Sequence, residues 1–183
     1  MENITENNLH ILEHYQKYFG KEVVFQFNRN KSKEYLNTEY CICIFQPNEN
    51  RNMLTYSTNG LSLKNQKRKN ELVFYAPKPN DQAVDILLAI SDYHISGEMI
   101  GLNHTVNFGI PVAEKSDCKY GLISMPYIEK EDFFKSDDTY FLWVIPITEK
   151  EKEFKVKDGI EKLEERFEKK NFNYLDFYRK SVI

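Results

Sequence analysis

Tyr40-Cys41-Ile42-Cys43-Ile44-Phe45 is an unbroken apolar run, closed two residues later by Pro47. It has the length of a strand and is too short for an ordinary helix. A strand that is apolar on both sides belongs inside a sheet covered on both faces. Alternation puts Cys41, Cys43 and Phe45 together on one of those faces.

Similar short runs lie on either side. Val23 to Phe27 precedes it, and Asn52 to Thr58 follows and ends at Asn59-Gly60, a strong turn signal. Glu71 to Tyr75 comes next and is stopped by Pro77 and Pro79. These four runs read as an antiparallel meander. Ahead of them, Leu9, Leu12, Tyr15 and Phe19 recur at helical spacing before Gly20, which predicts a helix over Thr5 to Phe19. A second helix is predicted from Asp81 to Tyr93, capped by Asn80 or Asp81, with Ala83, Leu87, Ile90 and His94 on one face.

Thr105 to Phe108 and Tyr120 to Met125 are weaker strands, and Glu131 to Phe134 fits one helical turn. Thr139 to Ile145 is a strong aromatic and β-branched strand that Pro146 should end. Thr148-Glu149-Lys150-Glu151 fits a capping box, opening a short helix to about Val156. The last helix, Gly159 to Lys169, carries Ile160, Leu163 and Phe167 on one face, with charges on the other. The tail, Leu175 to Ile183, reads as a strand or a docked extension. Strands and helices are interspersed without regular βαβ alternation. The expected class is therefore α+β: a single domain over residues 1–183, with a mixed, mostly antiparallel sheet and helices packed against it.

Composition narrows the function. The 183 residues are 41% hydrophobic and 14% aromatic, which a disordered chain is not. Lys and Arg number 25 against 28 Asp and Glu, a net charge of −3, so a general nucleic-acid footprint is not expected. No apolar stretch approaches the ~20 residues of a membrane span. The start, Met1 to His14, lacks the basic-then-apolar pattern of a signal peptide. Three cysteines are an odd number, and the Cys41/Cys43 spacing suits core packing better than a disulfide, which points to a reduced, cytoplasmic setting.

No nucleophile elbow, phosphate-binding glycine loop or zinc-protease motif is present in the sequence. His10 and His14 stand at i, i+4, but no third ligand is marked, and no cofactor or metal is expected. The densest polar cluster is Ser57-Thr58-Asn59-Gly60-Leu61-Ser62. It reads as a polar turn with local hydrogen bonds or as a ligand or partner site, and Glu71 reaches it if the two strands pair. His104 lies in a second polar patch. A third candidate is the acidic, aromatic stretch Tyr127 to Asp138, with Tyr127, Glu131, Asp132 and Phe134 as contact residues; there, Phe133 and Phe134 can equally serve the core. An enzyme would have to use Glu71, His104 and the Thr58–Ser62 hydroxyls within reach of one another.

Taken in order, several segments resemble the bacterial suppressor-of-fused-like (SUFU) domain family. They are His14-Tyr15 to Phe19-Gly20; Thr58-Asn59-Gly60-Leu61-Ser62, similar to the family's T-x-G-M-S; Glu71-Leu72-Val73; and Gly101 to Thr105. Phe141-Leu142-Trp143-Val144-Ile145-Pro146-Ile147 follows, then Glu151 and Phe154 ahead of Gly159, and the Asp176 to Val182 tail. Leu61 stands where Met is usual, and Lys31 to Glu39 shows no matching motif. The resemblance implies an α+β domain without known catalytic activity. Eukaryotic members bind a transcription-factor peptide by strand addition between lobes, and bacterial single-domain members look like immunity proteins encoded beside polymorphic toxins. By that resemblance the expected partner is a cognate toxin, with a peptide-binding or scaffolding role as the alternative.

Overall fold

The computed structural model describes residues 6–27, 40–63 and 67–183. One mixed sheet organises them. Chain order gives α1 (Glu6–Phe19), β1 (Val23–Phe27), β2 (Cys41–Phe45), β3 (Leu54–Asn59), β4 (Asn70–Ala76), α2 (Asp81–Ile95), β5 (Thr105–Asn107) and β6 (Cys118–Ser124). A short turn of tight helix, Glu131–Phe133, precedes β7 (Lys135–Ser136), β8 (Thr139–Thr148), α3 (Glu149–Asp158) and α4 (Ile160–Lys169). The spatial order is β1-β2-β3-β4-β8-β6-β5, with β7 forming a small hairpin on β8. The first four strands are the expected antiparallel meander. The β4–β8 pair is parallel and joins the two halves of the chain.

Alternation along the central strands separates two cores. Ile42, Leu54, Tyr56, Leu72, Phe74, Leu142 and Val144 point to the side covered by α2, where Ala83, Leu87 and Ile90 meet them. Cys41, Cys43, Phe45, Val73, Tyr75, Phe141, Trp143 and Ile145 point to the other side, under Ile11, Tyr15 and Phe19 of α1 and Leu163 and Phe167 of α4. The three cysteines are free and buried. Tyr40, just ahead of β2, is also buried and shares a 2.7 Å hydrogen bond with Ser91 of α2.

Two local expectations change. Pro146 does not end its strand: β8 runs on to Thr148, with Pro146 opposite Gly121 of β6. The Pro146 carbonyl accepts from Arg179 rather than from a strand, so this residue's missing N–H faces the side that β4 no longer covers. The Asn80 side chain does not cap α2; its Nδ2 donates to the Val112 carbonyl at 2.9 Å. Cys118 opens β6 and is buried. Thr5, the expected start of α1, lies outside the described residues.

The capping box forms as expected: Thr148 Oγ1 accepts from the Glu151 N–H at 3.4 Å and Glu151 Oε2 from the Thr148 N–H at 2.8 Å. It does more than cap α3. Glu151 is fully buried, and Arg179 of the tail donates to its two oxygens at 2.6 and 2.8 Å while lying 4.0 Å from the Phe172 ring. The tail is thus a docked extension, held by this ion pair and by Phe177, which sits in the α2-side core. Burial alone would raise the Glu151 carboxyl; the Arg179 charge and the Thr148 and Val182 amides outweigh it and hold the group below its ordinary value. Removing the guanidinium would leave a buried carboxylate without its counter-charge. Arg179→Ala is expected to cost about 3–5 kcal/mol, read as a shift in urea unfolding.

Candidate functional site

The Thr58–Ser62 turn and Glu71 do come together, as pairing of β3 with β4 requires. The ladder ends at Ser57 opposite Val73, and beyond it side chains replace backbone bonds. The Leu72 N–H donates to Thr58 Oγ1 at 2.8 Å, and Thr58 Oγ1 donates to Glu71 Oε2 at 2.5 Å. Glu71 Oε1 accepts from the Gly60 N–H at 3.2 Å, the Ser62 N–H at 2.9 Å and Ser62 Oγ at 2.7 Å. Gly60 has φ +99°, a conformation that side chains rarely adopt. The carboxylate is fully buried. Burial pushes it from the ordinary 4.5 up to about 7, against the pull of the four donors.

This nexus also fastens α1. Tyr15 Oη donates to the Thr58 carbonyl at 3.0 Å, and Asn59 Nδ2 to the Asn8 carbonyl at 3.2 Å. Ser57, Thr58, Asn59, Gly60, Ser62 and Glu71 are all buried, so in this arrangement their side chains present no surface to a partner. His104 is exposed, and no hydrogen bond joins it to Glu71.

The remaining sequence candidates lie on the stretch from Tyr127 to Tyr140, which sits on α1. Phe133 is fully buried among Tyr15, Tyr18, Phe19 and Phe141, and its carbonyl lies 2.9 Å from His14 Nε2. Asp132 pairs with Lys17 at 2.8 Å, Asp137 with His10 at 3.1 Å and Asp138 with Lys69 at 3.6 Å. Glu129 faces Arg51 at 2.8 Å, both side chains being almost wholly buried, and the guanidinium lies over the rings of Phe19 and Tyr75. Nothing in the sequence marked the Arg51–Glu129 pair, which joins residues 78 positions apart. With Phe133 inside, Tyr127, Ile128 and Tyr140 are exposed and Phe134 is half-buried, 5.4 Å from the Tyr140 ring. Glu131 is exposed.

A cleft of about 700 Å³ opens beside this stretch. It brings His104 and Phe134 to one place, with Leu102, Tyr140, Lys69 and Asp138 around them. Burial and the charges of Arg68 and Lys155 hold the His104 imidazole below its ordinary value. Among the described residues no group of three or more His, Cys, Asp or Glu is placed to hold a metal, and no helix is long and apolar enough to cross a membrane.

The family model described as Suppressor of fused protein (SUFU) matches residues 35–180. The chain belongs to the SUFU family. Its fold agrees with that of a SUFU homolog from Neisseria gonorrhoeae, with a TM-score of 0.85 and 24% identity over 97% of each chain. The Sufu–Fu complex structure matches with a TM-score of 0.69 and 13% identity, over 96% of this chain and 92% of that one. Drosophila Suppressor of Fused gives 0.67 and 13%, with 96% of this chain aligning to 51% of that one. No curated protein matches in sequence. The Thr58–Ser62 segment on which the SUFU resemblance rests is, in this member, the set of donors around a buried carboxylate.

Glu71 yields a signed pH prediction. Its folded value lies above its unfolded one, so its contribution to stability is fully present below about 4.5 and is lost as pH rises through about 7. Glu71→Gln turns an amide NH2 toward donors and should cost about 1–3 kcal/mol. The gap between wild type and Glu71→Gln should narrow from pH 5 to pH 8 in paired thermal melts. A gap that widens over that range would contradict the assignment.

Proposed function

We propose that this SUFU-family chain is a non-enzymatic protein-binding domain, and that it serves as a cytoplasmic immunity protein neutralising a cognate toxin by direct contact. The observation that carries the reading is the fixed stretch Tyr127–Tyr140. Its buried Phe133 and its ion pairs to α1 and Arg51 hold the backbone in place, while Tyr127, Ile128, Phe134 and Tyr140 remain available at the surface. A surface already ordered before binding avoids much of the entropy cost of association. Aromatic anchors ringed by polar groups are the usual makeup of energetic centres in protein interfaces. His104 and Phe134, sharing one cleft, form the second part of the proposed contact. A SUFU relative crystallised as the Sufu–Fu complex supports a protein partner in general terms.

A second reading rests on the sheet edge. Among the described residues β1 pairs only with β2, and Val24 on it is 54% exposed, so a partner strand has a row of backbone groups to meet.

Co-purification with the products of neighbouring genes, followed by rescue from their toxicity, tests the first reading. A one-to-one complex and rescue are expected. Glu131→Lys should weaken that complex by about tenfold or more while leaving the melting temperature near wild type, and Phe134→Ala should weaken it as much while lowering the melting temperature, because Phe134 also packs on the α2-side core. A complex indifferent to both changes, but lost when a proline is placed at Val24, would transfer the assignment to the edge of β1.

A further inference from the structure

On the α4 side of the sheet, at the other end of the proposed contact stretch, lies a groove of about 290 Å³. Leu122 and Ile145 of the sheet and Phe167 of α4 form its apolar floor, and all three are buried. Tyr127 and Tyr174 stand as walls, and Tyr174 is fixed by its contact with Trp143, ring centroids 4.8 Å apart. Glu164 and Glu168 rim it, and no Lys, Arg or His lines it.

Charge is the unusual feature. Around Tyr127–Tyr140 the carboxylates of Glu129, Asp132 and Asp138 each have a cationic partner, Asp137 lies 3.1 Å from His10, and Glu131 stands exposed away from the groove. Glu164 and Glu168 have no cationic partner among the described residues: Lys162 pairs with Asp158 and Lys169 with Glu165 instead. Glu164 Oε1 accepts from Tyr127 Oη at 2.6 Å, and Tyr127 Oη accepts from Ser124 Oγ at 2.7 Å. This short chain of donors orients one oxygen of Glu164 and leaves the other without a hydrogen bond among the described residues. Burial and the nearby Glu164 carboxylate hold the Tyr127 hydroxyl up at about 12. Tyr174 is raised by burial and by both carboxylates. The two negative charges are therefore felt inside the groove and not only at its rim.

We infer that this groove receives the side chain of an arginine presented by the protein partner. A guanidinium is flat and weakly hydrated, stacks on aromatic faces, and pairs with carboxylates through several donors at once. The groove offers those complements together: two ring walls, an apolar floor for the methylene stem, and two unneutralised carboxylates. It rests on the reading of this chain as a protein-binding domain and adds the chemistry of one contact: the partner is basic where it meets α4.

The probe is Nα-acetyl-arginine amide, titrated into the full chain labelled with nitrogen-15. Its neutral isostere Nα-acetyl-citrulline amide is the control. Saturable shifts are expected at the amides of Tyr127, Glu164 and Tyr174 with the arginine probe, at least about tenfold weaker with citrulline, as loss of a charge-assisted pair implies. The double variant Glu164→Gln/Glu168→Gln should show the same weakening with an unchanged melting temperature. Equal response to both probes, or shifts elsewhere only, would overturn the inference. Failure of the toxin rescue with the arginine shifts intact would count against the immunity reading alone. A toxin complex that forms normally with the double variant would count against the groove alone.

Discussion

A carboxylate closed off from water has to be satisfied by the protein, and Glu71 is satisfied by one short turn. Four donors from Thr58, Gly60 and Ser62 converge on it, which fixes the end of β3 against the start of β4. The fold then builds outward from that point. Tyr15 and Asn59 tie α1 to the same turn. His14 and Lys17 of α1 hold Phe133 and Asp132, and so the Tyr127–Tyr140 stretch. The proposed partner surface thus depends on a buried acid it never touches.

The two buried glutamates show how the type of partner decides a group's behaviour. Glu151 meets a guanidinium and stays ionised well inside the protein. Glu71 meets only neutral donors, and burial wins, raising it to about 7. Each nonetheless crosslinks segments distant in sequence. Glu151 holds a tail 28 residues away, and Glu71 holds a turn that precedes it by 9 to 13 residues. A charged pair and a neutral-donor cage do the same mechanical work with opposite dependence on pH.

The strands were legible because alternation is a local property. Cys41-Ile42-Cys43 reads as a strand buried on both faces, and Ile42 and Cys43 fall into different cores. The capping box at Thr148 was legible for the same reason, both partners lying within four residues. Pro146 was misread because the cost of a missing N–H depends on which neighbour lies beside it, and β4 stops pairing three residues earlier. The polar cluster was correctly joined to Glu71. Its burial was not legible, since the same hydroxyls serve equally well at a surface; what distinguishes the two is whether other chain segments cover them, here α1. Arg51, paired to Glu129 and stacked on Phe19 and Tyr75, carried no local sign at all.

The acidic loop illustrates what counting charges leaves out. As sequence, Glu129 to Asp138 looks like a negative patch able to draw in a basic partner. In the fold Arg51, Lys17 and Lys69 stand against Glu129, Asp132 and Asp138, and Asp137 lies beside His10, so most of that charge is countered locally, with the buried Arg51–Glu129 pair holding the loop. Attraction at long range would be weak there and screened further by salt. What the loop offers is a surface that keeps its shape, with Tyr127, Phe134 and Tyr140 set by residues beneath them. Glu164 and Glu168, which like Glu131 have no cationic partner among the described residues, are on α4, where no acidic run in the sequence stood out from a solvated helix face. Under the proposed reading, recognition at the loop would therefore follow from its rigidity, and a preference for a basic partner from Glu164 and Glu168.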